Sequence, residues 1–473
     1  MNIITIGIDL GTDKCCLTYQ DKIGRPFIIL HNDSFKIPSI IYNDNIPPIS
    51  NIKRLIGHNA NSYYAKTIAN YYNWIITDDL INNDLIIHIN NNKYSVEFLM
   101  CELLKKLKTI IIENIGDNFD VIITIPANFN EGQKNKILTY CKIVNINCKC
   151  LVYEPCSAAL SYINYFHDIK DEELKRIVVF DFGAGTLDLA IVSCNSAYID
   201  DKLEWMTKIE YNIGDNNLGG IDINIMLDGY LMSEYSKDDI EDIKIKLSNK
   251  QDTDKIKYLE YFKLLDDTFK HRIIHLLDNL HIYDITKFDI DIVLLIGGGC
   301  YNEWIRDLIQ NYYNKEIQTF NLDLTNKLNT IKLDIRDIGV SLGATCYNKK
   351  FLKDNVLILT ESIPLSICIE TSNKMCKLIP KNTLIPCTTK KYFTTTEDNQ
   401  TEIEIKLFQG DEEYYLLGNF IMDNLKSEPK GIIVVIINIS ITTDGLIIVE
   451  GSVKGTEIYN KKIIINRYNF NIN

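Results

Sequence analysis

Two stretches of this chain are versions of one another. IGIDLGTDKCCLTY, residues 6–19, runs as an apolar strand to Asp9, breaks at Gly11-Thr12 and resumes through Cys15, Leu17 and Tyr19. Ile177-Val-Val-Phe180 leads into Asp181-Phe-Gly-Ala-Gly-Thr186, and Leu187-Asp-Leu-Ala-Ile-Val192 continues as a strand. Each reads as a β-hairpin with glycine at turn positions that favour positive φ. One such hairpin is usually a plain structural turn. A pair that repeats both the aspartate at the strand end and the threonine in the turn points to two related halves. Neither matches Gly-x-x-x-x-Gly-Lys-Ser/Thr and neither opens a helix, so P-loop and dinucleotide fingerprints are excluded.

The chemistry of such turns suits a phosphate clamp. Glycine and threonine turns point backbone N–H groups and hydroxyls at phosphate oxygens. Two aspartates can hold a Mg²⁺ ion through its waters, since that ion dehydrates reluctantly. A third glycine loop, Val293-Leu-Leu-Ile-Gly-Gly-Gly299, follows a buried-type strand and precedes a helical stretch from Trp304 to Tyr313. Glycines there let a flat ring or a ribose approach the backbone. A nucleotide held between two related halves is the expected arrangement.

Bulk properties set the limits. At 473 residues the chain exceeds one core, so several domains are expected. A net charge of −13 argues against nucleic-acid and acidic-membrane partners, which need an excess of Lys and Arg. The longest apolar run, Gly431 to Ile437, is far short of the roughly 20 residues of a membrane span. With no basic leader at its start, the chain is expected to be cytoplasmic. Thirteen cysteines without a Cys-x-x-Cys pair read as reduced, packed thiols. His271 and His275 have zinc-helix spacing without the activating glutamate, and read as one face of an ordinary helix.

Taken together, the motifs resemble the 70-kDa heat-shock chaperones of the DnaK type. The likeness is carried by the two hairpins, Ile123-Thr-Ile-Pro-Ala127, Tyr153-Glu-Pro155, Asn217-Leu-Gly-Gly-Ile-Asp222 and Gly297-Gly-Gly299. Val356-Leu-Ile-Leu359 resembles an interdomain linker. Ile363-Pro-Leu-Ser-Ile-Cys-Ile-Glu370, Phe393-Thr-Thr-Thr-Glu-Asp-Asn-Gln400 and Leu407-Phe-Gln-Gly410 resemble a peptide-binding β-sandwich. The resemblance implies an α/β, actin-like ATPase domain of two duplicated lobes over residues 1–350. A linker over 351–362 and an all-β substrate-binding sandwich over 363–473, without a helical lid, would follow. ATP or ADP and Mg²⁺ are the implied cofactors, with K⁺ as a further candidate.

The resemblance also implies roles for single residues. Asp9, Glu154 and Asp181 would surround the magnesium and the attacking water, with Asp188 assisting the metal shell. Gly11, Thr12, Asp13, Gly183, Gly185, Thr186, Gly219 and Gly220 would line the phosphates, and Lys53 would be the catalytic lysine. Glu241, Lys244 and Ser248 match a helix that closes over the adenosine. Gly298, Gly299, Tyr301 and Asp337 would border the nucleoside. Because strand residues alternate faces, Ile367, Ile369, Ile403 and Ile405 could line one peptide groove with Phe393. Plain sandwich core is the other use of these isoleucines, and the pattern leaves both open.

Several departures qualify the likeness. Asp13-Lys14 replaces a threonine and an aromatic or polar residue, placing a carboxylate beside the phosphates unless Lys14 offsets it. The family has two Arg-Leu-Ile-Gly segments in its first lobe and this chain has one, so Lys53 is either the catalytic lysine or a surface lysine of the other copy. The chain is short between Asn249 and Lys257, where the family inserts strands. Thr360 replaces the linker's last acidic residue, and Ile245 and Tyr301 occupy the positions of two adenine-sandwiching arginines.

An ATP-dependent chaperone for protein folding and stress response is the first reading. Its partners would be unfolded or extended polypeptides, a J-domain co-chaperone and a nucleotide exchange factor. A nucleotide-binding scaffold or co-chaperone without a peptide cycle is the second. An actin-fold metabolite kinase is the third, and the motifs after residue 360 count against it.

Overall fold

The computed structural model describes residues 3–43, 46–79, 84–90, 92–166, 175–199, 202–215, 218–232, 234–280, 285–326, 330–346, 363, 365–371, 374–381, 383, 385–411, 414–442, 446–455 and 461–465. The expected linker over 351–362, with Val356–Leu359 and Thr360, lies outside them, as does Asn217. The chain divides into two compact units. One comprises Met1–Ala127, Lys136–Thr207 and Asn212–Val356, and the other Asn128–Asn135, Lys208–Tyr211 and Leu357–Asn473. Among the described residues no helix is long and apolar enough to cross a membrane.

The first unit is α/β. Its principal strands, in chain order, are β1 (Ile4–Asp9), β2 (Lys14–Gln20), β3 (Pro26–Ile28), β4 (Phe119–Ile125), β5 (Cys148–Tyr153) and β6 (Lys175–Phe182). They continue with β7 (Leu187–Ile199), β8 (Lys202–Asp215), β9 (Ile292–Ile296), β10 (Asn321–Thr325) and β11 (Thr330–Asp334). One sheet runs β5-β4-β1-β2-β3-β10-β11, and a second runs β8-β7-β6-β9. The repeat seen in the sequence is repeated in the pairing. β1 has a hairpin partner, β2, on one side and a parallel neighbour, β4, on the other. β6 has its hairpin partner β7 and its parallel neighbour β9 in the same relation. These central strands are near-continuous apolar runs, as expected of strands buried on both faces. Ile6, Ile8, Ile177, Val178 and Val179 are all fully buried.

Four helices bear on the site: α1 (Tyr63–Tyr72), α2 (Glu154–Phe166), α3 (Lys237–Ser248) and α4 (Ile335–Cys346). α2 follows β5 without a loop, so Glu154 is fixed at the strand end. It crosses α4 at very short range, with the Ser157 hydroxyl donating to the Val340 carbonyl at 2.6 Å. A Cβ on Gly343 would fall 1.7 Å from the Ser157 carbonyl oxygen, so only glycine fits that crossing. Residues 249–257 join α3 to the helix Tyr258–Leu265 with no strand, as the short spacing predicts. The helix expected from Trp304 begins one residue earlier, at Glu303, behind an Asn302 cap that accepts from Trp304 N.

The second unit is all-β. β12 (Ile367–Glu370), β13 (Met375–Ile379), β14 (Cys387–Thr394), β15 (Ile403–Gln409), β16 (Tyr415–Met422), β17 (Val434–Ile441), β18 (Ile447–Val453) and β19 (Lys461–Ile465) form two sheets. Their orders are β13-β12-β15-β16 and β14-β17-β18-β19, antiparallel throughout. Strict alternation of buried and half-buried residues along β17 and β18 is the mark of strands with one face on a core.

That core corrects one expectation. Ile367, Ile369 and Ile405 are 0, 1 and 4% exposed and belong to the sandwich core with Leu407, Val435 and Ile439. They do share a face, but the opposite sheet covers it, so they offer no open groove wall here. Phe393 and Ile403 are half-buried against the same core.

Candidate functional site

The two duplicated turns face each other. Asp9 ends β1, paired with Thr124 of β4 and Cys16 of β2. Asp181 lies near the end of β6, paired with Asp188 across the hairpin and Ile296 in β9. A Cβ on Gly185 would lie 3.2 Å from Thr12 Cγ2 and 2.8 Å from Arg54 Cδ, so both turns meet beside that arginine. The start of the helix Gly220–Tyr230 docks on the second turn, with Gly220 N donating to Gly183 O at 3.0 Å and Ile221 N to Ala184 O at 2.8 Å. Gly219 is required there, because a Cβ would come within 2.6 Å of Gly185. Asp13 and Lys14 pair with one another at 3.4 Å, both well exposed.

Lys53 is not a surface lysine. It sits in a short 3₁₀ turn, Ile52–Leu55, with 8% of its side chain exposed, and its Nζ lies 2.7 Å from Glu154 Oε1. Burial works against its charge, but Glu154 and Asp9 hold its pKa above the usual lysine value. The carboxylates behave in the opposite sense. Desolvation, then the charge of Glu154, push Asp9 up to about 7 against the pull of Lys53. Asp188 also rises to about 7, from desolvation and Glu154, although the Thr186 hydroxyl donates to it at 2.8 Å. Asp181 is held well above the carboxylate range by desolvation, Glu154, Asp188 and Asp9. Among the described residues no three His, Cys, Asp or Glu converge tightly enough to ligate a metal directly. Carboxylates that raise one another yet do not converge fit a hydrated Mg²⁺ held through its waters.

A second cluster lies on α3 and the third glycine loop. Lys244 Nζ contacts Glu241 Oε2 at 2.6 Å and the Gly220 carbonyl at 3.2 Å, and Asn224 Nδ2 donates to Glu241 at 2.7 Å. Ser248 is buried, its hydroxyl 3.4 Å from the Tyr261 hydroxyl. Gly297 adopts a φ of 86°, and a Cβ on it would meet Asp181 Oδ1 at 2.7 Å, so this loop packs against Asp181. Gly298 faces open space, whereas Gly299 packs on the Phe182 ring. The Tyr301 hydroxyl donates to Asp337 Oδ2 at 2.8 Å, and Lys36 takes the other Asp337 oxygen at 2.7 Å.

Sequence reasoning missed Arg336 and Arg54. The Arg336 guanidinium lies 3.9 Å from the Tyr301 ring centroid and grips Asp334 at 3.0 and 2.7 Å. No spacing rule links positions 301 and 336. Arg54 adjoins Lys53 in the one Arg-Leu-Ile-Gly segment, and its charge acts on Asp222 across the turns. That adjacency was its only signal.

A family model described as Hsp70 protein matches residues 5–258 and 244–471. The chain is 27% identical over 513 aligned positions to the chaperone protein DnaK of Buchnera aphidicola subsp. Schizaphis graminum (strain Sg). That alignment covers 95% of this chain and 77% of the relative.

Proposed function

Since the chain belongs to the Hsp70 family, we infer that it is an ATP-dependent chaperone whose first unit hydrolyses ATP to control the grip of the second on unfolded polypeptide. The observation that supports this best is the set of Asp9, Glu154, Asp181 and Asp188 around one buried ammonium, between two facing glycine turns.

In the proposed mechanism the backbone N–H groups of the Gly11-Thr12 and Gly183–Thr186 turns bind the β- and γ-phosphates. Asp9, Asp181 and Asp188 would hold the water shell of Mg²⁺, which when bound supplies charge neutralisation at the phosphates. Lys53 places a fixed positive charge where negative charge develops as water attacks the γ-phosphate in line. Glu154 orients Lys53 through their 2.7 Å contact and faces the attacking water. Glu241 and Lys244 engage the ribose, while Gly298, Gly299 and Tyr301 border the base. Lys14 offsets Asp13, so the phosphates meet no net charge from that pair.

In the second unit, Phe393 and Ile403, half-buried against the core, contact the polypeptide, while Ile367, Ile369 and Ile405 stay packed in the sandwich core. A J-domain co-chaperone, a nucleotide exchange factor, K⁺ beside the magnesium and a cytoplasmic location complete the proposal. ATP turnover by the purified protein, alone and with a J-domain protein and an unfolded peptide, tests it. Slow basal turnover accelerated by both additions is expected. Tight nucleotide binding with no turnover under any condition would favour a scaffold.

A further inference from the structure

Ser248 ends α3, and helical spacing keeps it on the face that carries Glu241 and Lys244. A serine hydroxyl can donate or accept, so the residue type alone does not say which atom of a base it suits. Its surroundings do. Among the described residues the Ser248 hydroxyl has one hydrogen-bond partner, the Tyr261 hydroxyl at 3.4 Å, and no bond to a carbonyl of its own helix. Tyr261 is fully buried on the helix Tyr258–Leu265. Its hydroxyl has one other partner among the described residues, Asn302 Nδ2 at 3.0 Å.

The direction of these bonds is fixed from the far end. Asn302 is 4% exposed and caps the helix Glu303–Tyr313, its Oδ1 accepting from Trp304 N at 3.0 Å. A backbone N–H only donates, so the amide oxygen faces Trp304 and the amide nitrogen faces Tyr261. The Tyr261 oxygen therefore accepts from Asn302. Burial pushes the Tyr261 phenol up to about 12, against its hydrogen bonds with Ser248 and Asn302, so it keeps its proton at neutral pH. Among the described residues the acceptor left for that proton is Ser248 Oγ. Ser248 receives from Tyr261, and its own proton is left for whatever binds against this face.

We infer that Asn302 and Tyr261 are positioning residues that set the Ser248 hydroxyl as a donor, so that it selects a purine by a ring nitrogen carrying a lone pair. The inference rests on the nucleotide reading of Glu241, Lys244 and Ser248. Adenine offers such a nitrogen at N1 and at N7. A base with N–H or C–H at that edge leaves the buried donor unpaired, which costs more than a bond gained elsewhere restores.

The test is calorimetry with ADP, 1-deaza-ADP and 7-deaza-ADP, each analogue replacing one ring nitrogen by C–H. The parent should bind at least one analogue roughly tenfold more weakly than ADP, and which one identifies the nitrogen. Asn302→Asp keeps an oxygen for Trp304 N but turns the other amide position from donor into acceptor. Tyr261 then donates to it, Ser248 donates to Tyr261, and a lone pair faces the base. That variant should bind ADP and the discriminated analogue within about twofold of one another, a change that a residue serving only as a helix cap would not produce. Tyr261→Phe cuts the relay with little change of volume and should narrow the gap in the same sense. Because ratios between ligands are read, a general loss of affinity from the new charge cancels. Equal binding of all three ligands by the parent, or the full gap in either variant, overturns the inference. If the parent binds no adenine nucleotide, the nucleotide reading falls, and this inference with it.

Discussion

Replacing Lys53 by alanine separates the catalytic use proposed for this lysine from its structural use. The side chain is 8% exposed and its ammonium is 2.7 Å from Glu154, so the substitution leaves that carboxylate buried among three others. Breaking a buried pair on one side typically costs about 3–5 kcal/mol. Here the cost should fall near the lower end, about 3 kcal/mol, because the cluster can take up a proton. Asp9 already titrates near 7 with Lys53 opposing its protonation, and without Lys53 it rises further. A carboxylate whose folded pKa exceeds its unfolded value adds stability at low pH and loses it as pH climbs through the folded value. The penalty should therefore be small near pH 6 and grow towards pH 8, at up to ~1.4 kcal/mol per pH unit for each proton. Thermal unfolding of nucleotide-free protein in EDTA, read by circular dichroism at several pH values, measures it. Adding Glu154→Gln should recover most of the stability without recovering activity. Turnover should fall about 10²–10³-fold in either variant, with ATP still bound. Unchanged turnover would show that Lys53 is not the catalytic lysine, and a penalty independent of pH would refute the proton-uptake argument.

Three further outcomes are expected. Gly343→Ala should destabilise the first unit by at least about 1–3 kcal/mol despite alanine's better helix propensity, since the new methyl meets backbone at Ser157; an unchanged melting temperature would contradict that packing. Asp411 accepts from Ser366 N and Oγ and pairs with Lys377; burial opposes its charge, yet Lys377 and Ser366 hold its pKa below the ordinary 3.8. Its contribution is complete above 3.8 and lost as pH falls through the lower folded value, so Asp411→Asn should cost about 1 kcal/mol at pH 7 and nothing in strong acid; equal penalties at both pH values would refute this. Ile245→Arg should tighten ATP relative to GTP by about tenfold, whereas Tyr301→Arg should gain much less; calorimetry showing equal gains would refute the role given to Arg336 below.

What the sequence made legible was local. The paired hairpins rest on period-two alternation and glycine turns, both of which act within a few residues, and Asp9 and Asp181 fall at equivalent strand positions as expected. Glu154 was legible as a residue at a strand-to-helix junction. Alternation also placed Ile367, Ile369 and Ile405 on one face, but could not say what covers that face, and the answer is the opposite sheet. The contact of the Lys237 ammonium with the Tyr71 and Tyr72 rings, at 4.3 and 4.1 Å from their centroids, was hidden for a related reason. Lysine, tyrosine and asparagine are abundant throughout this chain, and nothing local distinguishes a tyrosine that faces an ammonium from one that faces water.

The side proposed for the adenine shows most plainly why position-by-position counting falls short. At the two arginine positions the chain has Ile245, 49% exposed, and Tyr301, which taken alone suggests a site stripped of cations. In space a guanidinium is still present. Arg336 is held flat by its double contact to Asp334, lies 3.9 Å from the Tyr301 ring and donates to the Cys300 carbonyl at 3.3 Å. Its own carbonyl accepts from Gly297 N at 2.9 Å, so the same residue fixes both the tyrosine and the glycine loop. A purine stacked on Tyr301 would thus rest on a ring already polarised by a cation one layer further back. An arginine placed at 301 would instead confront the Arg336 guanidinium at stacking distance, and two like charges there repel. Ile245 is 49% exposed on α3, where a longer side chain has room, which is why the two arginine replacements should not be equivalent.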